Sequence, residues 1–303
     1  MQVREFIWEP EEVYGEYFNS DIAEFKRTVS VIRVRAAAGC GQRVVAQQGL
    51  TLALYGAEGG KPLKCTPLSR FLDHYKLDSM AFSDDGELLA LADGHQVQYV
   101  KFTESDFLPT GRLAGERVAE ATMHSLCFID PERCLGVSDR AVLLYERGVC
   151  LSQRALPEGP LSLQRDRVLV ADRGVLRVHR AVDWEPLDEW PVGPVRALAL
   201  SAGGRVAWIE DNGFHLREDS QELEVPRRPP GWEKLRLEFA GERLFLRDAT
   251  GKAWNWRPQA PLWQEWSGPF LGTSGSWWFD LAPDGFRSFC DGAEPAPQTT
   301  QRF

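Results

Sequence analysis

An all-β protein built from a repeated four-stranded unit is the fold class that this 303-residue sequence predicts. Three observations predict it. The stretch from Met80 to Phe102, MAFSDDGELLALADGHQVQYVKF, sets apolar runs between turns that carry glycine. The second of its turns, a glycine followed by a strand-like run, recurs along most of the chain at a spacing close to 40 residues. Helical periodicity, with apolar residues three and four apart, is nearly absent.

The elements follow in chain order. VREFIW, within residues 1–9, is apolar, aromatic and β-prone. Residues 10–30 form an acidic loop with one short helix. The segment from Glu9 to Glu24 holds six acidic residues and no basic one, interleaved with Tyr14, Tyr17 and Phe18. DIAEFKRTV, from Asp21, is the helical piece, because Asp21 and Glu24 have capping-box spacing. Strand units fill residues 31–303. Their marker turns fall at Gly49 (QGLTLALY), Gly94, Arg140 (SDRAVLLYE), Gly174 (RGVLRVHR), Gly213 (NGFHLRE), Gly251 (TGKAWNWR) and Gly292 (DGAEP). An upstream hairpin precedes these turns, as in LCFIDPERCLGVSD, VRALALSAGGRVAWIEDN, LRLEFAGERLFLRDAT and WWFDLAPDGFRSFCDG. Asp-Gly and Asn-Gly accept positive φ and match the twist of short antiparallel strands, so between apolar runs they signal hairpins.

A repeat of about 40 to 45 residues is the length of one four-stranded propeller blade. The chain therefore reads as a single β-propeller over residues 1–303 with seven four-stranded blades. After Gly292 only AEPAPQTTQRF remains, too short to finish a blade. VREFIW is expected to supply the missing outer strand and close the ring, which removes an exposed sheet edge. A six-bladed ring is the rival count and needs a longer period than these intervals give.

The unit MAFSDDGELLALADGHQVQYV resembles the WD40 repeat, which runs as an apolar strand, an FSPDG-like turn, an LLA strand, a DG turn and a strand ending in Trp-Asp. Two departures stand out. Tyr145-Glu146 replaces the terminal Trp-Asp, and the Gly-His that usually opens a repeat is missing. The resemblance covers most of residues 31–292 and implies a WD40-like propeller whose faces hold other proteins.

Composition narrows the partners. A net charge of −9, from 35 basic and 44 acidic residues, offers no basic footprint for phosphates, so no nucleic acid is expected. No window approaches the 18 or so apolar residues of a membrane span, and MQVREFIWEPEEVYGEYF is too acidic for a signal peptide, so no membrane insertion and a cytoplasmic location are expected. The excess of arginine over lysine suits a GC-rich genome. Cys40, Cys65, Cys127, Cys134, Cys150 and Cys290 form no CxxC pair and read as reduced, mostly buried core residues.

The chain lacks HExxH, GxxxxGK[ST], GxSxG, a GxGxxG after a strand and the calcium loop. His74, His95, His124, His179 and His215 show no metal spacing. No cofactor, metal or catalytic residue is expected. Tryptophan is the compositional oddity, with Trp232, Trp254, Trp256, Trp263, Trp266, Trp277 and Trp278 crowded into one stretch. One reading has these rings fill the space between blades. The other has Trp263 and Trp266, in PQAPLWQEWSGP, anchor a partner together with Trp232. The loop VPRRPPGWEK adds Arg227 and Arg228 beside a stiffening Pro-Pro pair, a pattern that suits an acidic partner or a plain connector.

These observations favour a non-catalytic interaction scaffold or a subunit of a multiprotein assembly, ATPase-associated or signalling by analogy with bacterial stand-alone propellers. The alternative is a propeller-type hydrolase, lactonase or small-ligand binder, with turn acids such as Asp84, Asp85, Asp211 and Asp284 at the channel mouth. Turn chemistry gives those acids a simpler reason, since Asp bonds its own backbone. A sugar-stacking lectin is a third reading, suited to secreted proteins.

Overall fold

The computed structural model describes residues 3–8, 34–40, 43–48, 51–55, 62–72, 77–103, 106–114, 121–211, 213–219, 221–225, 236–248, 252–257, 260, 262–266, 270–274, 277–282 and 285–291. Among them the only helical piece is one 3-10 turn at Leu68–Arg70. The helix expected from Asp21, and the acidic segment around it, lie outside the described residues.

The strands form seven four-stranded antiparallel sheets. The first holds β2 (Val34–Cys40), β3 (Arg43–Gln48), β4 (Thr51–Tyr55) and β5 (Lys64–Pro67). The second holds β6 (Ser79–Phe82), β7 (Leu88–Asp93), β8 (Gln96–Phe102) and β9 (Phe107–Ala114). The third holds β10 (Met123–Phe128), β11 (Arg133–Ser138), β12 (Ala141–Glu146) and β13 (Val149–Ala155). The fourth holds β14 (Leu161–Gln164), β15 (Arg167–Asp172), β16 (Val175–Arg180) and β17 (Pro186–Pro191). The fifth holds β18 (Val195–Leu200), β19 (Val206–Glu210), β20 (Phe214–Glu218) and β21 (Gln221–Glu222). The sixth holds β22 (Arg236–Ala240), β23 (Arg243–Arg247), β24 (Ala253–Trp256) and β25 (Gln264–Trp266). The seventh holds β26 (Phe270–Ser274), β27 (Trp277–Ala282), β28 (Gly285–Asp291) and, from the far end of the chain, β1 (Val3–Trp8).

In the other sheets the strands lie in sequence order, so each is a simple meander. β1 pairs antiparallel with β28, from Val3 opposite Asp291 to Trp8 opposite Phe286. The first strands of successive sheets are neighbours: β2 touches β6, β6 touches β10, and so on through β14, β18, β22 and β26, which lies against β2. The arrangement is propeller-like.

The sequence shows why middle strands are the apolar ones. β4, β12 and β19 are buried along nearly their whole length, on both faces, so TLALY, AVLLYE and VAWIE carry continuous apolar runs instead of a strict in-out alternation. β12 packs against the second and fourth sheets, β19 against the fourth and sixth, and β4 against the second. Val45, Leu52 and Leu54 of the first sheet meet Leu89, Leu91 and Val100 of the second. Ala240, Phe245 and Ala253 of the sixth meet Trp278 and Phe289 of the seventh. Complete burial of a residue such as Phe245 stabilises by about 1.5–3 kcal/mol, and similar buried clusters lie between each pair of successive sheets from the first to the seventh.

Turns set the register. Asp85 accepts the Glu87 amide at 3.0 Å, while Ser83 Oγ accepts the Leu88 amide at 2.9 Å, which fixes the β6–β7 hairpin. The β12–β13 connection is the two-residue turn Arg147-Gly148, both with positive φ. At Gly148 a Cβ would also sit 2.9 Å from the Val97 carbonyl oxygen of the second sheet, so conformation and space both require glycine there.

One marker was out of phase. Gly292 lies beyond β28, and the connection equivalent to Gly94 in the last sheet falls at residues 283–284, between β27 and β28. WWFDLAPDGFRSFCDG is thus the second and third strands of its sheet, and FLGTS is the first. The two Asp-Gly pairs, at 284–285 and 291–292, are alike in sequence, and only the pairing with β1 distinguishes them. No helix among the described residues is long and apolar enough to cross a membrane.

Candidate interaction surface

β13, the outer strand of the third sheet, differs from the outer strands of the other sheets. β5 has four residues and ends in Pro67, β9 contains Pro109, and β17 begins and ends in proline. β21 has two residues, β25 three, and β1 carries Arg4 and Glu5 mid-strand. Shortness, proline and charge all blunt a sheet edge. β13, VCLSQRA, has seven residues, no proline and a single charge near its end. It pairs with β12 on one side, and among the described residues no strand pairs with its other edge. The register shifts at Leu144/Tyr145, which leaves Leu151 as an extra residue without a partner across on β12. Val149 and Leu151 are 51% and 52% exposed, somewhat more than Leu108 of β9 at 41% and Leu187 of β17 at 45%.

Beside β13 a groove of about 440 Å³ opens between the third and fourth sheets. Arg154 and Ala155 of β13 line one wall, and Asp172, Arg177, His179 and Trp184 line much of the rest. Trp184, in the connection between β16 and β17, holds φ +67. That is the left-handed region, costly for a bulky residue by about 1–3 kcal/mol, and such strain concentrates where a side chain must be aimed. Its neighbours hold it there. Trp184 N–H donates to the Arg180 carbonyl at 2.9 Å, its own carbonyl lies 3.0 Å from His179 Nδ1, and the His179 ring stacks on the indole at 5.2 Å.

The charges in the groove are unequal in their pairing. Arg177 faces Glu189 at 3.1 Å and Asp172 at 4.0 Å. Arg154 places its guanidinium 5.6 Å from the Trp184 ring centroid and reaches the Asp183 carbonyl at 3.5 Å. No carboxylate among the described residues pairs with it. The groove therefore combines an aromatic face, one uncompensated cation and a free strand edge. No family model matches the chain, and no curated protein matches it.

The residues singled out in the sequence are dispersed. Trp263 and Trp266 flank or end the outer strand β25, but both rings are half-buried and face opposite junctions. Trp263 meets Phe214 at 5.4 Å and Trp256 at 6.1 Å, between the fifth and sixth sheets. Trp266 meets Phe289 edge-on at 4.9 Å and Trp278 at 6.2 Å, between the sixth and seventh. Trp254 and Trp256 share one buried cluster. Trp232, Arg227 and Arg228 lie outside the described residues, as do His74 and Asp284.

The turn acids are engaged locally. Asp84 pairs with Arg165 at 3.3 Å and Asp211 with Arg196. The Ser83 hydroxyl and then the Glu87 amide hold the Asp85 carboxyl below its ordinary value, which is turn chemistry. Among the described residues no three His, Cys, Asp or Glu side chains gather in a metal-binding group. The cysteines correct one expectation: Cys134 is buried, whereas Cys65, Cys127 and Cys150 are partly exposed, and all four are free thiols. Cys65 and Cys150 lie on the outer strands β5 and β13 and Cys127 on the first strand β10, whereas the buried Cys134 lies on a second strand, a difference that residue type alone does not reveal. Nothing in the sequence flagged Arg154 and Trp184, which are 30 residues apart and ordinary by composition.

Proposed function

We propose that the chain is a closed, seven-bladed, WD40-like β-propeller that acts as a non-catalytic interaction scaffold. The cycle of neighbouring first strands and the completion of the last sheet by β1 support the ring. The observation that carries the scaffold reading is the outer edge of β13, long, unprotected and apolar beside a groove. A soluble domain that exposes such an edge risks aggregation unless something binds it. Rigid sheets packed on both sides hold that surface in place without any moving part, which suits recognition.

The test is affinity capture of the tagged full-length chain from native lysate, quantified by mass spectrometry against a tag-only control. The scaffold reading expects one or more proteins retained at near-stoichiometric amounts. Retention no greater than the control would end it.

A further inference from the structure

Resting on the scaffold reading, we propose that β13 takes an extended segment of a partner protein as a fifth strand, with an acidic side chain of that segment seated against Arg154 beside Trp184. Three independent features converge on this occupant. The outer edge of β13 offers a row of backbone donors and acceptors that no strand among the described residues uses, and an extended chain satisfies such a row by strand addition. The strand that binds there gains specificity from alternate side chains, and Val149 and Leu151 supply the apolar contacts. Arg154 is the groove cation left without a carboxylate, so charge complementarity calls for Asp or Glu in the incoming segment.

Trp184 explains why the site is in the groove and not simply along the edge. Its strained backbone aims the indole at the space next to Arg154, and His179 stacked on it holds the ring. Arg177 does not compete, because Glu189 and Asp172 already neutralise it.

The experiment is selection of a phage-displayed linear dodecapeptide library on the immobilised full-length protein, run in parallel on Arg154→Glu and Leu151→Lys. Both side chains are exposed, and matched melting temperatures check that the variants fold. The wild type is expected to enrich β-prone peptides with an Asp or Glu. An enriched peptide, made with a fluorophore, should bind about tenfold more weakly to Arg154→Glu, and that variant should select Lys or Arg instead. Amides of β13 should gain hydrogen-exchange protection in the complex.

Failure to enrich any peptide, equal binding to wild type and Arg154→Glu, or unprotected β13 amides would each overturn the proposal. So would a dimer of the free protein that Leu151→Lys dissolves, since the occupant would then be a second copy. Proteins captured from lysate equally well by Arg154→Glu would leave the scaffold reading standing while this inference falls.

Discussion

The Tyr145 hydroxyl donates a 2.8 Å hydrogen bond to the backbone carbonyl of His95, 50 residues earlier in the chain. Tyr145 is in the third sheet and His95 in the turn between β7 and β8 of the second, so this bond ties two sheets where Val97, Tyr99 and Leu143 already pack. A phenol at this position both fills the junction and spans it. Tyr145→Phe keeps the ring and strands a buried carbonyl. It should cost about 1–2 kcal/mol, read as a lower urea midpoint at unchanged slope. An unshifted midpoint would show that water or another donor replaces the phenol.

His95 makes the same junction sensitive to pH. Its Nε2 lies 2.8 Å from Ser138 Oγ, which already accepts the amides of Ala141 and Arg140 at 3.0 and 3.2 Å. The single hydroxyl proton is shared between the ring and the Ala141 carbonyl at 3.2 Å, and with two amides already accepted the oxygen has little left to accept a proton from a charged ring. Burial lowers the His95 pKa, with nearby Asp139 opposing and Arg140 reinforcing the shift. The unfolded chain thus binds the proton more readily, and stability rises with pH through this range. The contribution is intact above the unfolded value near 6.5 and is lost as pH falls from there toward the folded value. His95→Gln should flatten the decline in unfolding free energy between about pH 7 and pH 5 relative to wild type. Parallel curves for the two proteins would show that His95 does not titrate there.

Thiol reactivity should divide by site. Burial pushes Cys134 up to about 12, with a smaller opposing effect from the Tyr99 hydroxyl; Cys127 is partly exposed as a residue, but its sulfur is enclosed, which pushes it up to about 11, partly offset by the Arg165 amide it accepts at 2.9 Å. The thiolate is the reactive form, so both sites should resist iodoacetamide at pH 8 and alkylate fully in urea. Burial raises the Cys150 thiol as well, but it lies partly exposed on the outer strand β13 and should react first of these three in peptide-resolved mass spectrometry. Rapid native labelling of Cys134 would mean that the junction between the second and third sheets opens readily.

The repeat was legible because its turns demand particular residues. Asp-Gly at 93–94 and the Ser83-Asp85 hairpin each have a backbone reason, and the strands they join fall where the apolar runs do. The last sheet was legible only in part, because its fourth strand comes from the opposite end of the chain and local pattern cannot fix its phase. The candidate surface was not legible. Arg154 and Trp184 matter through a groove between two sheets, and the free edge of β13 is visible only when compared with the other outer strands. Trp263 and Trp266 drew notice by type, yet their rings turn into two junctions, because aromatic burial at this density serves packing first.

β1 provides the sharpest test of the proposed closed ring. Six residues, VREFIW, complete the seventh sheet by pairing with β28 over its full length. Without them β28 would expose an unpaired edge next to the sheet that neighbours β2 through β26. Each lost ladder bond is worth only about 0.5–1.5 kcal/mol, but several go together. Deleting residues 1–9 should therefore lower the melting temperature by on the order of 5 °C and promote association. A synthetic peptide spanning residues 1–9, added in trans, should restore much of the loss as its concentration rises, because it binds the folded form and not the unfolded one. A truncated chain that melts like the full one, or one that the peptide does not rescue, would mean that the seventh sheet stands on three strands and that β1 contributes nothing to closing the ring.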